Sequence, residues 1–191
     1  TGSAIEEVFP IGWIFGIGEM AVTEGYYIKV NTATSISVEG SPAELPATIP
    51  LSMGWNIMGY PPQEGQNAEA AVQDLIDEGS LLKVQDETGS AIEEVIPIGW
   101  IYGIDNFEPG EGYYVKVNTV TSITFDNTVQ AMAMISNKEM VEPTYFINTF
   151  VGNPYLPMNI YVLNARIDNI PVTPGMEIGI YDGDICVGSA V

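Results

Sequence analysis

The pattern of apolar and polar positions predicts short β-strands along most of the chain. Residues 4–8, 26–30 and 81–84 alternate between the two classes or are rich in β-branched and aromatic side chains, as half-buried strands are. Residues 34–38 and 51–60 have the same character, and turns rich in glycine, proline and asparagine separate the runs. The pattern therefore indicates a mainly β protein.

One segment has helical periodicity instead. Its apolar side chains recur with the spacing of one helix face, and they are Ala68, Ala71, Val72, Leu75 and Ile76. Asn67 precedes them as a good N-cap, and Gly79 follows them as a helix stop. Because so short a helix is not stable alone, we expect it to lie on the sheet. The predicted fold class is mainly β with one short helix, an α+β repeat unit followed by a β-sandwich-like module.

A repeat sets the domain organisation. Residues 1–40 recur as residues 88–127 with a register shift of 87, and 26 of the 40 positions are identical. We predict a complete repeat unit at 41–127, which begins with a proline-rich connector at 41–50 and continues as strand, helix and several strands. Residues 1–40 then form the second half of a unit whose first half is missing. Their apolar faces and strand edges need cover from a neighbouring unit, the C-terminal segment or another chain.

Residues 128–191 are predicted to form a third module, and residues 128–140 to be a strand or bridge that leads into it. Strand candidates alternate with turns at the spacing of a β-sandwich. The strands are 144–150, 158–167 and 177–181, and the turns are 152–154, 168–169 and 174–175. The chain stops directly after an apolar stretch, so the module is expected to be incomplete at its C-terminus.

Composition excludes several classes of function. The chain has 191 residues with 25 acidic and five basic side chains, no histidine and a net charge of −20. So few cations argue against nucleic acid and anionic membranes as partners. No apolar run is long enough to span a membrane. The single cysteine, Cys186, lies in an apolar run and is predicted to be buried.

The absence of histidine removes Ser-His-Asp and Cys-His catalysis and histidine-based metal sites. Paired carboxylates remain, because Glu6-Glu7 recurs as Glu93-Glu94. Adjacent residues of a strand face opposite ways, so one member of each pair is expected to point to solvent. We therefore predict a protein without enzymatic activity.

Calcium is the stronger ionic hypothesis, since hard cations bind several carboxylate and carbonyl oxygens. The tightest candidate is Asp182-Gly183-Asp184, and a second cluster comprises Asp105, Glu108 and Glu111. Neither has the spacing of an EF-hand. The alternative interpretation, that these are turn residues and solvated charges, is favoured. No other cofactor is expected.

Carbohydrate binding would require exposed aromatic side chains. The candidates are Trp13, Trp100, Tyr27 and Tyr114, which occupy matching places in the two copies. Because adjacent tyrosines point to opposite faces, one of each Tyr-Tyr pair is expected outside. Tryptophans that recur at one place in a repeat are more often core anchors, and this remains the competing interpretation.

Several motifs resemble a known family. The stretch GWNIMGYP at 54–61, LKVQD at 82–86, Gly99-Trp100 and PGEGYYVKV at 109–117 resemble the GWN-type repeats of secreted and cell-surface proteins of Bacteroidota and similar bacteria. The runs NPYLPM at 153–158 and GMEIGIYDGDICVG at 175–188 resemble another module of such proteins, with Met176 where that pattern has Asp. The resemblance implies an extracellular or cell-surface location and an adhesive or structural role.

The expectation for function is an extracellular structural or adhesive protein that acts through packing of modules and subunits. Open faces would be completed by another copy, which would give a head-to-tail filament or sheath. Its partners would be other copies of the chain or neighbouring modules, without nucleic acid or membrane insertion. The alternative is a carbohydrate-binding or calcium-binding module of a larger secreted protein, with a glycan as candidate ligand.

Overall fold

The structure is a computed structural model that describes residues 4–126, 143–147, 159–162, 164–173 and 175–191. In these residues the fold is mainly β with one short helix, as the sequence predicts. The chain divides into two compact units, Thr1–Asp86 with Ser90–Gln130, and Ala131–Val191 with the turn residues Glu87–Gly89.

The first unit has eleven strands and one helix in the described residues. They are β1 (Ile5–Val8), β2 (Gly12–Phe15), β3 (Ala47–Leu51), β4 (Gly54–Gly59), β5 (Gln66–Asn67), α1 (Ala68–Asp77), β6 (Leu81–Gln85), β7 (Ala91–Val95), β8 (Gly99–Tyr102), β9 (Asn106–Phe107), β10 (Gly112–Val117) and β11 (Thr121–Phe125). The central sheet is antiparallel in the order β4-β10-β6-β7-β8. Three two-stranded ladders join β1 to β2, β3 to β11 and β5 to β9.

The helix begins and ends where its sequence indicates. The side chain of Asn67 accepts a hydrogen bond from the Ala70 N–H at 2.9 Å, which satisfies one of the unpaired donors of the first turn. Gly79 adopts a φ of +66° after the last turn, and the Ser80 N–H donates to the Leu75 carbonyl at 2.9 Å. The face that carries Val72 and Leu75 is buried against the strands.

Aromatic rings fill the centre of the complete repeat unit. Tyr60, Phe107, Tyr113 and Phe125 form a connected cluster, in which the closest ring centroids are 4.5 Å apart. All four side chains are buried, together with aliphatic residues from β3, β4, α1, β6, β7, β10 and β11. Residues on both sides of position 87 therefore contribute to one core.

Two expected boundaries are wrong. The proline-rich connector at 41–50 contains most of β3, and the single strand expected at 51–60 is two strands, β3 and β4. Pro50 is tolerated in β3 because the strand pairs only with β11 in a two-stranded ladder. Gly54, with a φ of +98°, redirects the chain between the two strands, a conformation that residues with a side chain rarely adopt.

Two predicted strands in the first copy of the repeat do not form. Residues 26–30 and 34–38 have no strand assignment, although their copies are β10 and β11. In the complete unit β10 pairs with β4 and β6, and β11 pairs with β3. Within the described residues, 26–30 and 34–38 are not paired in a ladder of this kind, and the β propensity of their residues is not sufficient to make a strand.

The second unit contains two β-hairpins in its described residues. They are formed by β12 (Arg166–Ile167) with β13 (Ile170–Pro171), and β14 (Ile178–Asp182) with β15 (Ile185–Ala190). The predicted turn at 168–169 is confirmed, since both residues have positive φ. The strand predicted at 177–181 is confirmed within one residue.

Other predictions for this unit fail or lie outside the described residues. Residues 144–146 form bends instead of a strand, and only Arg166–Ile167 is strand in the described part of 158–167. The predictions for residues 128–140, 148–150, 152–154 and Pro174 lie outside the described residues. In the described ranges, no helix combines the length and the apolar character needed to cross a membrane.

Candidate functional site

The two copies of the repeat fold alike where the interactions are local. The β1–β2 hairpin pairs Ile5 with Phe15, and the β7–β8 hairpin pairs the corresponding Ile92 with Tyr102. A hydrogen bond at the open end of the hairpin also recurs. The Gly16 N–H donates to the Ala4 carbonyl, and the Gly103 N–H donates to the Ala91 carbonyl, both at 2.7 Å. The local sequence of the hairpin therefore specifies the same pairing in both copies.

A tyrosine corner is the second element that both copies share. The Tyr113 hydroxyl accepts a hydrogen bond from the Glu108 N–H at 2.9 Å and donates to the Glu111 carboxylate at 2.8 Å. In the first copy, the Tyr26 hydroxyl accepts from the Ala21 N–H at 2.9 Å and donates to the Glu24 carboxylate at 3.1 Å. The sequence signal was the recurring Glu-Gly-Tyr-Tyr, whose glutamate and first tyrosine were not recognised as partners.

The copies differ where the interactions are distant in sequence. We call residues 4–40 the open half-unit, because their apolar side chains face solvent at positions that the complete unit buries. The exposed fractions are 55% for Ile28 against 0% for Val115, 64% for Ile36 against 4% for Ile123, and 82% for Val38 against 0% for Phe125. Ile5 and Val30 are likewise exposed, whereas their copies Ile92 and Val117 are buried. The open half-unit therefore exposes to solvent the apolar side chains whose copies form the core of the complete unit.

The open half-unit contacts the complete unit at one edge of the central sheet. The Gly25 N–H donates to the Ile57 carbonyl and the Gly59 N–H to the Thr23 carbonyl, both at 3.3 Å. The backbones of Glu24 and Met58 thus form an isolated antiparallel β-bridge on one side of β4, and β10 pairs with the other side. A crevice of about 260 Å³ lies beside this contact, between Thr23–Gly25 and strands β3 and β4. The contact covers the edge of β4 but leaves the apolar side chains of the half-unit exposed.

The three acidic residues of the proposed second calcium cluster have separate roles. The Asp105 carbonyl accepts the Ala68 N–H at 3.0 Å and so satisfies the start of the helix. The Glu111 carboxylate accepts the Tyr113 hydroxyl. Burial, and secondarily the charge of Glu108, raise the pKa of Tyr60 to about 12. These contacts hold loops in place.

The first calcium candidate lies in a turn. Asp182 ends β14, Gly183 has a φ of +61°, and Asp184 precedes β15. In the described residues, no group of three or more acidic or cysteine side chains is arranged to hold a metal ion. Calcium binding thus remains a prediction from the sequence pattern, and the turn interpretation accounts for the geometry of these residues.

A carboxylate that the sequence pattern did not indicate, that of Glu177, accepts four hydrogen bonds. Glu177 accepts the Thr144 N–H and hydroxyl, both at 2.7 Å, and the N–H groups of Tyr145 at 2.6 Å and Phe146 at 3.0 Å. These bonds, chiefly the one from the Thr144 hydroxyl, lower the pKa of Glu177 to about 2. Glu177 is therefore an internal anchor for residues 144–146, which are more than 30 positions away in sequence.

The aromatic candidates for carbohydrate binding are not brought together. Trp100 is half-buried against the core, as the competing interpretation expects, and Tyr114 lies on the opposite face of the sheet. Trp13 and Tyr27 are exposed on the open half-unit. Instead, Tyr114 contacts Trp55 edge-on at 6.3 Å, and the Lys116 Nζ lies 5.4 Å from the Trp55 ring centre. The outer sheet face thus carries a small aromatic patch that includes the exposed Trp55 and its neighbour Tyr114.

Comparisons with models of protein families, with curated proteins and with solved structures find no match. The resemblance to GWN-type repeats therefore stays a prediction from the quoted residues.

Proposed function

We propose that this chain is an extracellular structural or adhesive protein, without enzymatic activity, that works by docking its open half-unit onto other modules or other copies. The observation that carries the proposal is the exposure of Ile28, Ile36 and Val38 at positions that the complete unit buries. Burial of such a side chain contributes about 1.5–3 kcal/mol each. A docked partner would gain this free energy several times over.

The form of the exposed surface favours a protein partner. Residues 25–38 carry the sequence of two strands that, in the complete unit, pair along their full length with β4, β6 and β3. Such a segment offers regularly spaced, exposed apolar side chains on a sequence that forms strands in its other copy, and strand addition uses segments of this kind. Because the contact joins different surfaces, repeated docking produces an open assembly such as a filament or sheath.

The test is the molar mass of the purified chain in solution, measured by size-exclusion chromatography with light scattering over a range of concentrations. The proposal predicts species heavier than 20.6 kDa at high concentration. Ile28→Asp with Ile36→Asp is expected to abolish them. The matched control is Val120→Asp, which changes an exposed apolar residue outside both the half-unit and residues 47–85. A single species near 20.6 kDa at all concentrations, with electron micrographs free of filaments, would contradict self-assembly.

A second candidate function is glycan binding at the outer sheet face. The observation that favours it is the exposed ring of Trp55, flanked by Tyr114 and Lys116, since exposed aromatic faces are suited to sugar rings. Affinity electrophoresis in polysaccharide gels tests it. Trp55→Ala is expected to remove retardation, whereas Trp13→Ala, at an exposed tryptophan of the half-unit, is expected to leave it unchanged. Equal mobility with and without polysaccharide across the common plant and bacterial glycans would exclude this function.

A further inference from the structure

The described residues contain two second halves of the repeat unit but one first half. The first half is residues 47–85, with β3, β4, β5, α1 and β6, and it is completed by residues 91–125. Residues 4–38 are the other second half, and they keep an apolar side chain at each buried position of their copy. These are Ala4, Ile5, Ile17, Met20, Tyr26, Ile28, Val30, Ile36 and Val38 in place of Ala91, Ile92, Ile104, Phe107, Tyr113, Val115, Val117, Ile123 and Phe125.

We propose that residues 47–85 form an exchangeable docking surface, on which residues 4–38 can take the place of residues 91–125. The inference rests on the proposed function, in which the open half-unit is the docking element, and deepens it by naming the surface that receives it. The exchanged unit would be a circular permutant of the unit seen, because its second half precedes its first half in the chain.

The connectivity of the chain permits this exchange. β3 and β11 are the first and last strands of the complete unit and lie side by side, with Ala47 opposite Phe125. The copy of Phe125 is Val38, so the exchanged strand would run through residues 39–46 into β3 as an antiparallel hairpin. Units whose ends are adjacent tolerate such permutation. The break in the permuted unit falls in the hairpin turn between β6 and β7.

The polar contacts of the exchanged arrangement also match. In the complete unit Lys83 on β6 forms an ion pair with Glu93 on β7, with 3.1 Å between Nζ and Oε2. The copy of Glu93 is Glu6, which lies at the same position of β1. Across β3 and β11, the Thr48 and Thr124 hydroxyl oxygens are 2.9 Å apart, and the copy of Thr124 is Ser37. Both side-chain pairs can therefore form in either arrangement.

Two aromatic residues decide which copy prevails. Phe107 and Phe125 contact Tyr60 and each other in the core, whereas the first copy has the smaller Met20 and Val38 in their places. Smaller side chains would leave a cavity, so residues 91–125 are the favoured occupant. Among the described residues, one second half stays uncovered in either arrangement, so it remains available to dock onto another copy.

Disulfide competition tests the exchange in the full-length chain. In a Cys186→Ala background, Thr48→Cys can bond to Thr124→Cys in the arrangement seen, or to Ser37→Cys in the exchanged one. All four positions 37, 41, 48 and 124 are exposed. The chain with cysteines at 37, 48 and 124 is equilibrated in glutathione buffer, and peptide mapping gives the ratio of the two disulfides. The control pair is Ser41→Cys with Thr48→Cys, which closes a shorter loop without matched register.

The proposal predicts that the 37–48 disulfide forms more readily than the control 41–48 disulfide. Phe107→Met with Phe125→Val makes the two copies nearly equivalent, and the ratio of the 37–48 to the 48–124 disulfide should then rise roughly 10- to 100-fold. A 37–48 disulfide between two copies, seen as a doubled mass, also supports the surface. Preference for 41–48 over 37–48, or a ratio that these substitutions leave unchanged, would overturn it. Molar mass tests the assembly that the proposed function predicts, whereas the ratio of disulfides tests the exchange. The two measurements are independent, so the failure of one proposal can be distinguished from the failure of the other.

Discussion

At the scale of single residues, Tyr113 shows how a recurring motif holds a loop. Its hydroxyl links the Glu108 backbone to the Glu111 carboxylate beneath a buried ring, whereas Tyr26 makes the same bonds on the exposed half-unit. Removal of a buried hydrogen-bonding partner costs about 1–3 kcal/mol, and a similar change at the surface costs little.

We therefore expect Tyr113→Phe to lower the free energy of unfolding by about 1–3 kcal/mol. Its counterpart Tyr26→Phe should change it by less than about 0.5 kcal/mol. Urea denaturation of the two variants, followed by the fluorescence of the tryptophans, measures both. Equal losses in the two variants would mean that the half-unit is packed as tightly as the complete unit.

Glu177 gives a prediction for pH. Its pKa in the folded state, about 2, lies below the ordinary value of 4.5 because Thr144, Tyr145 and Phe146 donate hydrogen bonds to the carboxylate. Its contribution to stability is thus present above pH 4.5 and is lost as the pH falls towards 2. Glu177→Gln should remove that part of the pH dependence. Carbon NMR of the carboxyl group, titrated from pH 6 to pH 1.5, should locate the midpoint near 2; a midpoint near 4.5 would show that these bonds are absent in solution.

Residue-scale features were the hardest to predict from sequence. The Glu177 contact joins positions more than 30 apart, so no local pattern indicates it. The acidic residues Asp105, Glu108 and Glu111 cluster in sequence, but no sequence pattern indicates that Glu108 and Glu111 share the Tyr113 hydroxyl or that the Asp105 carbonyl accepts the Ala68 N–H. The Glu-Gly-Tyr-Tyr repeat did contain the signal for the tyrosine corner.

At the scale of elements, the repeat separates local from distant causes of structure. Strand β1, the helix and the turn at 168–169 were predictable because their determinants are neighbours in sequence: caps, turn residues and periodicity. Residues 26–30 and 34–38 were predicted as strands from the same rules, yet they lack their pairing partners. Strand formation there depends on β3, β4 and β6, which a propensity scale does not include.

This contrast predicts very different effects for the same substitution in the two copies. Ile123→Ala removes a buried side chain from β11 and should cost about 2–5 kcal/mol of unfolding free energy. Ile36→Ala changes the matching exposed residue and should cost less than about 0.5 kcal/mol. Thermal and urea unfolding of both variants provide the comparison. A large loss for Ile36→Ala would indicate that residues 34–38 are packed in the isolated chain.

At the scale of the whole molecule, charge and apolar surface oppose each other. A net charge of −20 makes copies repel, whereas the open half-unit supplies the apolar surface that draws them together. Salt screens the repulsion, with a Debye length of about 10 Å at 0.1 M, but leaves apolar burial intact. Self-association should therefore strengthen as sodium chloride rises from about 20 mM to about 500 mM.

Light scattering at fixed protein concentration measures this dependence. The double substitution Ile28→Asp with Ile36→Asp should remove the increase of association with salt, because the added charges lie on the open half-unit. Association that weakens with salt would instead indicate pairing between opposite charges. In that case the contact between copies would involve one of the few cationic residues, such as Lys116 on the outer face, instead of the half-unit.

The central claim is that residues 25–38, part of the docking element, are exposed to solvent in the isolated chain, although the copies of their apolar side chains are buried in the core. Hydrogen exchange with mass spectrometry measures both segments in one molecule, since their peptides differ in mass. In dilute solution β10 and β11 should be strongly protected, whereas residues 25–38 should exchange almost without protection and become protected as concentration rises. Equal protection of the two segments in the dilute monomer, or no gain at concentrations where larger species form, would contradict the claim.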